Sequence, residues 1–98
     1  MSCLRRVGLL LLFVSVPLIA SAHEPWDPVA DTKAVVVDGH ARFTVLTPQL
    51  VRMEWAADGM FEDHASLVFV NRRLPVPQFT VRHENGWLLL RTAHLTVR

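Results

Sequence analysis

The chain has 98 residues, a single cysteine, 51% hydrophobic residues, and ten lysines and arginines against nine acids. A formal charge of +1 without a basic tract excludes the electrostatic footprint of a nucleic-acid binder. One cysteine excludes a disulfide framework, and the length excludes a (β/α)8 barrel, which takes roughly 250 residues.

Residues 1–22 read as an export signal. Arg5 and Arg6 form the positive region, Val7 through Ile19 the apolar region, and Ala20, Ser21 and Ala22 the small-residue cleavage site. The apolar run is shorter than the roughly 20 residues that cross a bilayer and carries Pro17, so it predicts no permanent membrane anchor. The implied destination is the periplasm or the extracellular space. Cleavage after Ala22 removes Cys3 together with Arg5 and Arg6, leaving eight basic residues against nine acids, a net charge of −1.

Residues 23–33 contain Pro25, Pro28 and several acids without any period, and predict an extended lead-in. From residue 34 the pattern turns to alternation. Asp38-Gly39 between two β-branched runs predicts a hairpin. In its second arm Ala41, Phe43 and Val45 share one face, and Arg42 and Thr44 the other. Thr47-Pro48 breaks that strand, because proline cannot donate to a ladder. The next strand puts Val51, Met53 and Trp55 on one side, with Arg52 and Glu54 opposite. Asp58-Gly59 predicts a turn, Ser66 to Val70 another short strand, and the Pro-Val-Pro at residues 75–77 a stiff connector. Asn85-Gly86 predicts a second hairpin, and the stretch from His94 begins one more strand. No helical period or capping box occurs, so the reading is all-β, an antiparallel β-sandwich over residues 34–98. Ending on Arg98 in mid-alternation reads as truncation, leaving a sheet fragment with an open edge and a small core.

Glu62 and Asp63 are the only adjacent acids. On an extended chain neighbouring side chains point to opposite faces, so the two do not converge as a glycosidase pair, whose carboxyls stand roughly 5–9.5 Å apart across a sugar. They read as a turn or inter-strand feature. His23, as a new N-terminus, could chelate copper through its α-amine and imidazole, but no histidine pair has a recognised ligand spacing, and the sequence predicts no metal and no cofactor. No Gly-x-Ser-x-Gly elbow occurs. Trp55 and Trp87 stand among apolar neighbours and read as core, whereas Trp26, in the lead-in, is the candidate for contact with carbohydrate or else a plug that folds back.

Several landmarks occur together in order: Leu46-Thr47-Pro48, Val51-Arg52, Glu54 and Trp55, then Phe61-Glu62-Asp63, Ser66 and Asn71-Arg72. In this order the chain resembles the N-terminal β-sandwich of glycoside hydrolase family 31, the α-glucosidases and α-xylosidases, from about Ala34 to Arg98. The resemblance implies a galactose mutarotase-like fold packed against a downstream (β/α)8 catalytic barrel. It also implies a parent enzyme that hydrolyses α-linked glucosides or xylosides with retention. The catalytic aspartates of that family belong to the barrel, so no catalytic residue carries over, and this chain alone is expected to be inactive. Arg52, Glu54, Phe61, Glu62, Asp63, Asn71 and Arg72 are then structural landmarks. Arg52 and Arg72 are expected on polar strand faces or strand ends, one of them paired with Glu62 or Asp63. A free-standing carbohydrate-binding module is the competing reading.

Overall fold

The structure, a computed structural model, describes residues 26–98. The expected export signal, and His23 after it, lie outside the described residues. Alternation in residues 35–55 produces three strands, β1 (Val35–Asp38), β2 (Ala41–Thr47) and β3 (Leu50–Trp55). Residues 80–97 produce β4 (Thr80–Glu84), β5 (Trp87–Arg91) and β6 (Thr96–Val97). They form two three-stranded antiparallel sheets, β1-β2-β3 and β4-β5-β6, so the described chain is all-β. The lead-in is not extended throughout. The Asp31 side chain accepts from Lys33 N at 2.9 Å and its carbonyl from Ala34 N at 2.9 Å, closing one 3-10 turn at Thr32–Ala34.

The two hairpins turn differently. Asp38 pairs with Ala41, so the first loop is Gly39-His40, one residue later than the Asp-Gly reading. Only Gly39 has positive φ (58°), as in a II′ loop with glycine first. In the second hairpin Glu84 pairs with Trp87, and Asn85 (φ 51°) with Gly86 (φ 79°) forms the I′ loop that Asn-Gly favours. Open space surrounds the position of a Cβ on Gly86. Gly86→Ala therefore tests backbone conformation alone, and we expect a loss of about 1 kcal/mol by urea unfolding.

Register assigns the faces. Val45 pairs with Val51, Phe43 with Met53 and Ala41 with Trp55, making one apolar face, while Arg42 pairs with Glu54 and Thr44 with Arg52 on the other. A register shift between Val45 and Thr47 interrupts the alternation, and Thr44, Val45 and Leu46 are consecutively buried there. In the second sheet Val81 pairs with Leu90, which pairs with Val97. Among the described residues two polar contacts link the sheets or the loops beside them. Thr92 Oγ1 donates to Pro48 O at 2.5 Å, and His83 Nε2 lies 3.6 Å from Asp38 Oδ2. Asp38 shares the face of Ala41, and His83 that of Leu88 and Leu90, so this contact joins the apolar side of one sheet to that of the other. Val45 and Leu90 are the largest fully buried side chains.

The Thr92 hydroxyl also accepts from His94 N at 3.1 Å and Leu95 N at 2.9 Å. Thr92→Val keeps the shape and leaves an acceptor and two amides without their partner. The expected cost is about 2 kcal/mol, measured by urea unfolding, with a larger effect than Gly86→Ala.

Two expectations fail. Residues 66–70 form no strand: Phe69 N donates to Ser66 Oγ at 3.0 Å and Ser66 N to Phe69 O at 3.3 Å, so serine folds the run into a local turn. Leu67 is left fully exposed. Nor are Trp55 and Trp87 core residues, being 73% and 51% exposed. Trp55, at the hairpin end of β3, stacks obliquely on His40 with ring centroids 5.4 Å apart. Trp87 lies on the face of the second sheet away from Leu90, beneath the Arg98 guanidinium. Alternation identifies an apolar face without showing that anything covers it.

Candidate functional site

The polar face of the first sheet carries the principal cluster of charges. Arg42 and Glu54 stand opposite each other and pair side-on: Nε donates to Oε2 at 2.7 Å and Nη2 to Oε1 at 3.0 Å. Their side chains are only 13% and 11% exposed. Arg52, next on the same face of β3, brings Nη1 against Glu54 Oε2 without the angle of a hydrogen bond, so this contact is an ion pair. A guanidinium suits such a place because its planar fork matches a carboxylate edge.

The segment after β3 closes over this face. Arg42 Nη1 donates to Asp63 Oδ1 at 2.7 Å, and Nη2 to Glu62 O at 2.9 Å. The Phe61 ring lies against the Arg42 guanidinium, 4.9 Å from its centroid, and Phe69 similarly meets Arg52 at 5.8 Å. Arg72, 3% exposed, reaches the same loop from its far end, donating from Nη1 to Glu62 O at 2.9 Å and from Nη2 to His64 O at 2.7 Å. The Glu62 carbonyl thus accepts from two arginines. The Glu62 carboxylate turns away, accepting from His64 N at 2.7 Å and lying 2.5 Å from His64 Nδ1.

The lead-in is tied to the other end of this loop. Arg72 N and Arg73 N donate to Asp27 O at 2.6 and 3.2 Å, and Arg73 Nε lies 2.8 Å from Asp27 Oδ2. Asn71 Oδ1 accepts weakly from Asp27 N at 3.4 Å. Trp26, just before this tie, is 59% exposed and so is no plug.

Electrostatics favours the ionised form of two glutamates here. Burial pushes the Glu54 carboxyl up, but the hydrogen bonds of Arg42 and the close Arg52 cation outweigh it, holding it below the ordinary value. Hydrogen bonds from the His64 amide and ring also hold Glu62 below the ordinary range. A general acid must keep its proton near neutral pH, and these carboxyls do the opposite. The arrangement is a latch: it fastens a loop without regular structure onto a sheet face. Among the described residues no group of three or more histidine, cysteine, aspartate or glutamate side chains is placed to hold a metal ion.

The expected landmarks converge here with a different hub. Asp63 pairs with Arg42, while Glu62 does partner one of the two expected arginines, Arg72, through its backbone carbonyl; Arg72 is buried in the segment after β3 instead of standing at a strand end. Alternation puts Arg42 on a polar face without singling it out. The available signal was its position six residues before Pro48, mirrored by Glu54 six residues after it. In class, then, the described chain is all-β, with Arg42, Arg52, Glu54 and Asp63 paired among themselves on one sheet face. Searched against protein-family models, curated proteins and solved structures, it matches none of them.

Proposed function

We propose that this chain is a non-catalytic scaffold, the N-terminal support domain of an exported α-glycosidase resembling family 31, whose barrel would hydrolyse α-linked glucosides or xylosides. The carrying observation is that Glu54 and Asp63 both engage Arg42, leaving neither as a free acid or base in the cluster. Exposed apolar side chains add support: Met53 and Trp55 on the first sheet, and Met60, Leu67 and Val68 on the loop after it, offer surface that a larger partner covers. In the scaffold reading that partner is the downstream barrel.

Two measurements test this. The purified chain should turn over neither aryl α-glucosides nor aryl α-xylosides, and turnover above background refutes it. Reading the DNA downstream should find a barrel in frame with its two catalytic aspartates, and a frame without one removes the assignment.

The exposure of Trp26, Trp55 and Trp87 favours a second reading, a carbohydrate-binding module. Oligosaccharide titration followed by tryptophan fluorescence separates the two. A saturable change belongs to the module, and a flat response to the scaffold.

A further inference from the structure

We propose that Asn85-Gly86, the loop of the β4-β5 hairpin, is a modification site: the Asn85 amide leaves as ammonia and water takes its place, at a rate set by opening of the hairpin end. Asparagine is thermolabile because the backbone nitrogen that follows it can attack its side-chain carbonyl. A glycine in the next position leaves that nitrogen uncrowded, having no Cβ. The asparagines of the chain are Asn71 and Asn85. Around Asn71 both reacting groups are engaged: Oδ1 accepts from Asp27 N, and the nitrogen that would attack, Arg72 N, donates to Asp27 O at 2.6 Å. Around Asn85 neither is. Among the described residues its side chain has no hydrogen-bond partner and Gly86 N finds no acceptor, while both residues are exposed and open space surrounds the glycine. Asp58-Gly59 offers the same spacing, but Gly59 N donates to Ala56 O at 3.0 Å, the Asp58 carboxylate accepts from Met60 N, and an ionised carboxylate is a poor target for an amide nitrogen.

The loop itself restrains the reaction. Asn85 at φ 51° and Gly86 at φ 79° hold the I′ turn, and the peptide between them must rotate out of it before Gly86 N can reach Asn85 Cγ. Opening at this end uncovers little, because all five residues of β4 are exposed and the buried residue of β5, Leu90, lies towards its far end. Hairpin ends of this kind open at low cost. Water is the one co-reactant. Gly86 N bonds to Asn85 Cγ, the Cγ–Nδ2 bond breaks, and ammonia leaves with the glycine N–H proton, giving a cyclic imide. Water adding at Cγ reopens the ring to aspartate, and adding at the main-chain carbonyl gives isoaspartate. Either product puts a carboxylate next to Glu84. Isoaspartate also routes the backbone through the side chain, lengthening a loop that joins Glu84 to its partner Trp87 with two residues. The proposal does not rest on the scaffold reading.

The test incubates the full chain for weeks in mildly alkaline buffer at physiological temperature, with and without urea, and weighs its peptides by mass spectrometry. Isoaspartate is counted with a purified isoaspartyl methyltransferase and labelled S-adenosylmethionine. In buffer the Asn85 peptide should gain the mass of an amide-to-acid change and accept methyl label, while the Asn71 peptide stays unchanged. Urea, which removes the loop, should accelerate conversion of Asn85 at least about threefold. Gly86→Val is compared with the parent in urea, where turn strain plays no part. Its branched side chain crowds the attacking nitrogen and should slow conversion at least about tenfold. An unconverted Asn85 in buffer, a product without methyl label, equal rates with and without urea, Asn71 converting as fast, or an unchanged rate in Gly86→Val each overturns the proposal.

Discussion

Arg42→Met should destabilise the chain by about 3 kcal/mol, the largest loss expected of any single substitution here. Breaking a buried ion pair costs roughly 3–5 kcal/mol because the abandoned charge stays where water solvates it poorly. The lower end applies, since Glu54 keeps 11% of its side-chain surface in solvent and Arg52 stays beside it. Asp63, 61% exposed, adds at most about 1 kcal/mol to the total. Most of the effect therefore belongs to Glu54, and a double variant identifies it. Arg42→Met with Glu54→Leu removes both charges and should be more stable than Arg42→Met alone, as apolar replacement of a whole pair often is. Urea unfolding measures both. A single variant within about 1 kcal/mol of the parent would show that the pair does not hold the face. Hydrogen exchange adds a spatial readout: amides of residues 61–64 should lose protection in Arg42→Met, while those of β4 and β5 keep theirs.

How far the pair could be read beforehand depends on which physical rule places each member. Alternation has period two, so a strand on each side of Pro48 assigned Arg42, Thr44, Arg52 and Glu54 to polar faces without reference to tertiary structure. An antiparallel turn centred on Pro48 then brings Arg42 opposite Glu54, which is the observed register. Asp63 and Arg72 obey no such rule. They stand between β3 and β4, where no repeating hydrogen-bond pattern indicates which side chain faces the sheet. Their positions follow from where the Glu62 and His64 carbonyls find donors, a long-range condition invisible to local pattern.

The misread strand at residues 66–70 has a similar origin. Strand propensity measures fit to a pleated, half-buried surface. Leu67, Val68 and Val70 meet no such surface, and Ser66 supplies a competing local bond. Trp55 and Trp87 show the complementary limit. Their apolar strand neighbours predict an interior, but interior status requires a covering layer, and at the hairpin ends none is present among the described residues.

Acidification should release the same latch that Arg42→Met breaks, and the sign of the dependence follows from the carboxyl shifts. Glu54 has a folded pKa lowered from its ordinary 4.5, so its unfolded form binds a proton first as pH falls. Its contribution is fully present above about 4.5 and is lost as pH drops through the depressed folded value. Glu62 is lowered in the same direction by its bonds from the His64 amide and ring, but it is fully exposed and acts only on the loop. The hydrogen bond to Glu54 raises the Arg42 guanidinium above its ordinary value, so the pair keeps its cation throughout the neutral and alkaline range. Stability by urea unfolding should therefore vary little with Glu54 from pH 8 to 6, and fall with increasing steepness below about 4.5. Glu54→Gln should start less stable at pH 7 and show a shallower acid limb, whereas Glu62→Gln should keep nearly the parent slope. An acid limb in Glu54→Gln parallel to the parent's would mean that other carboxylates carry the dependence. The latch would then rest on geometry and packing, with little contribution from the ionised state of Glu54.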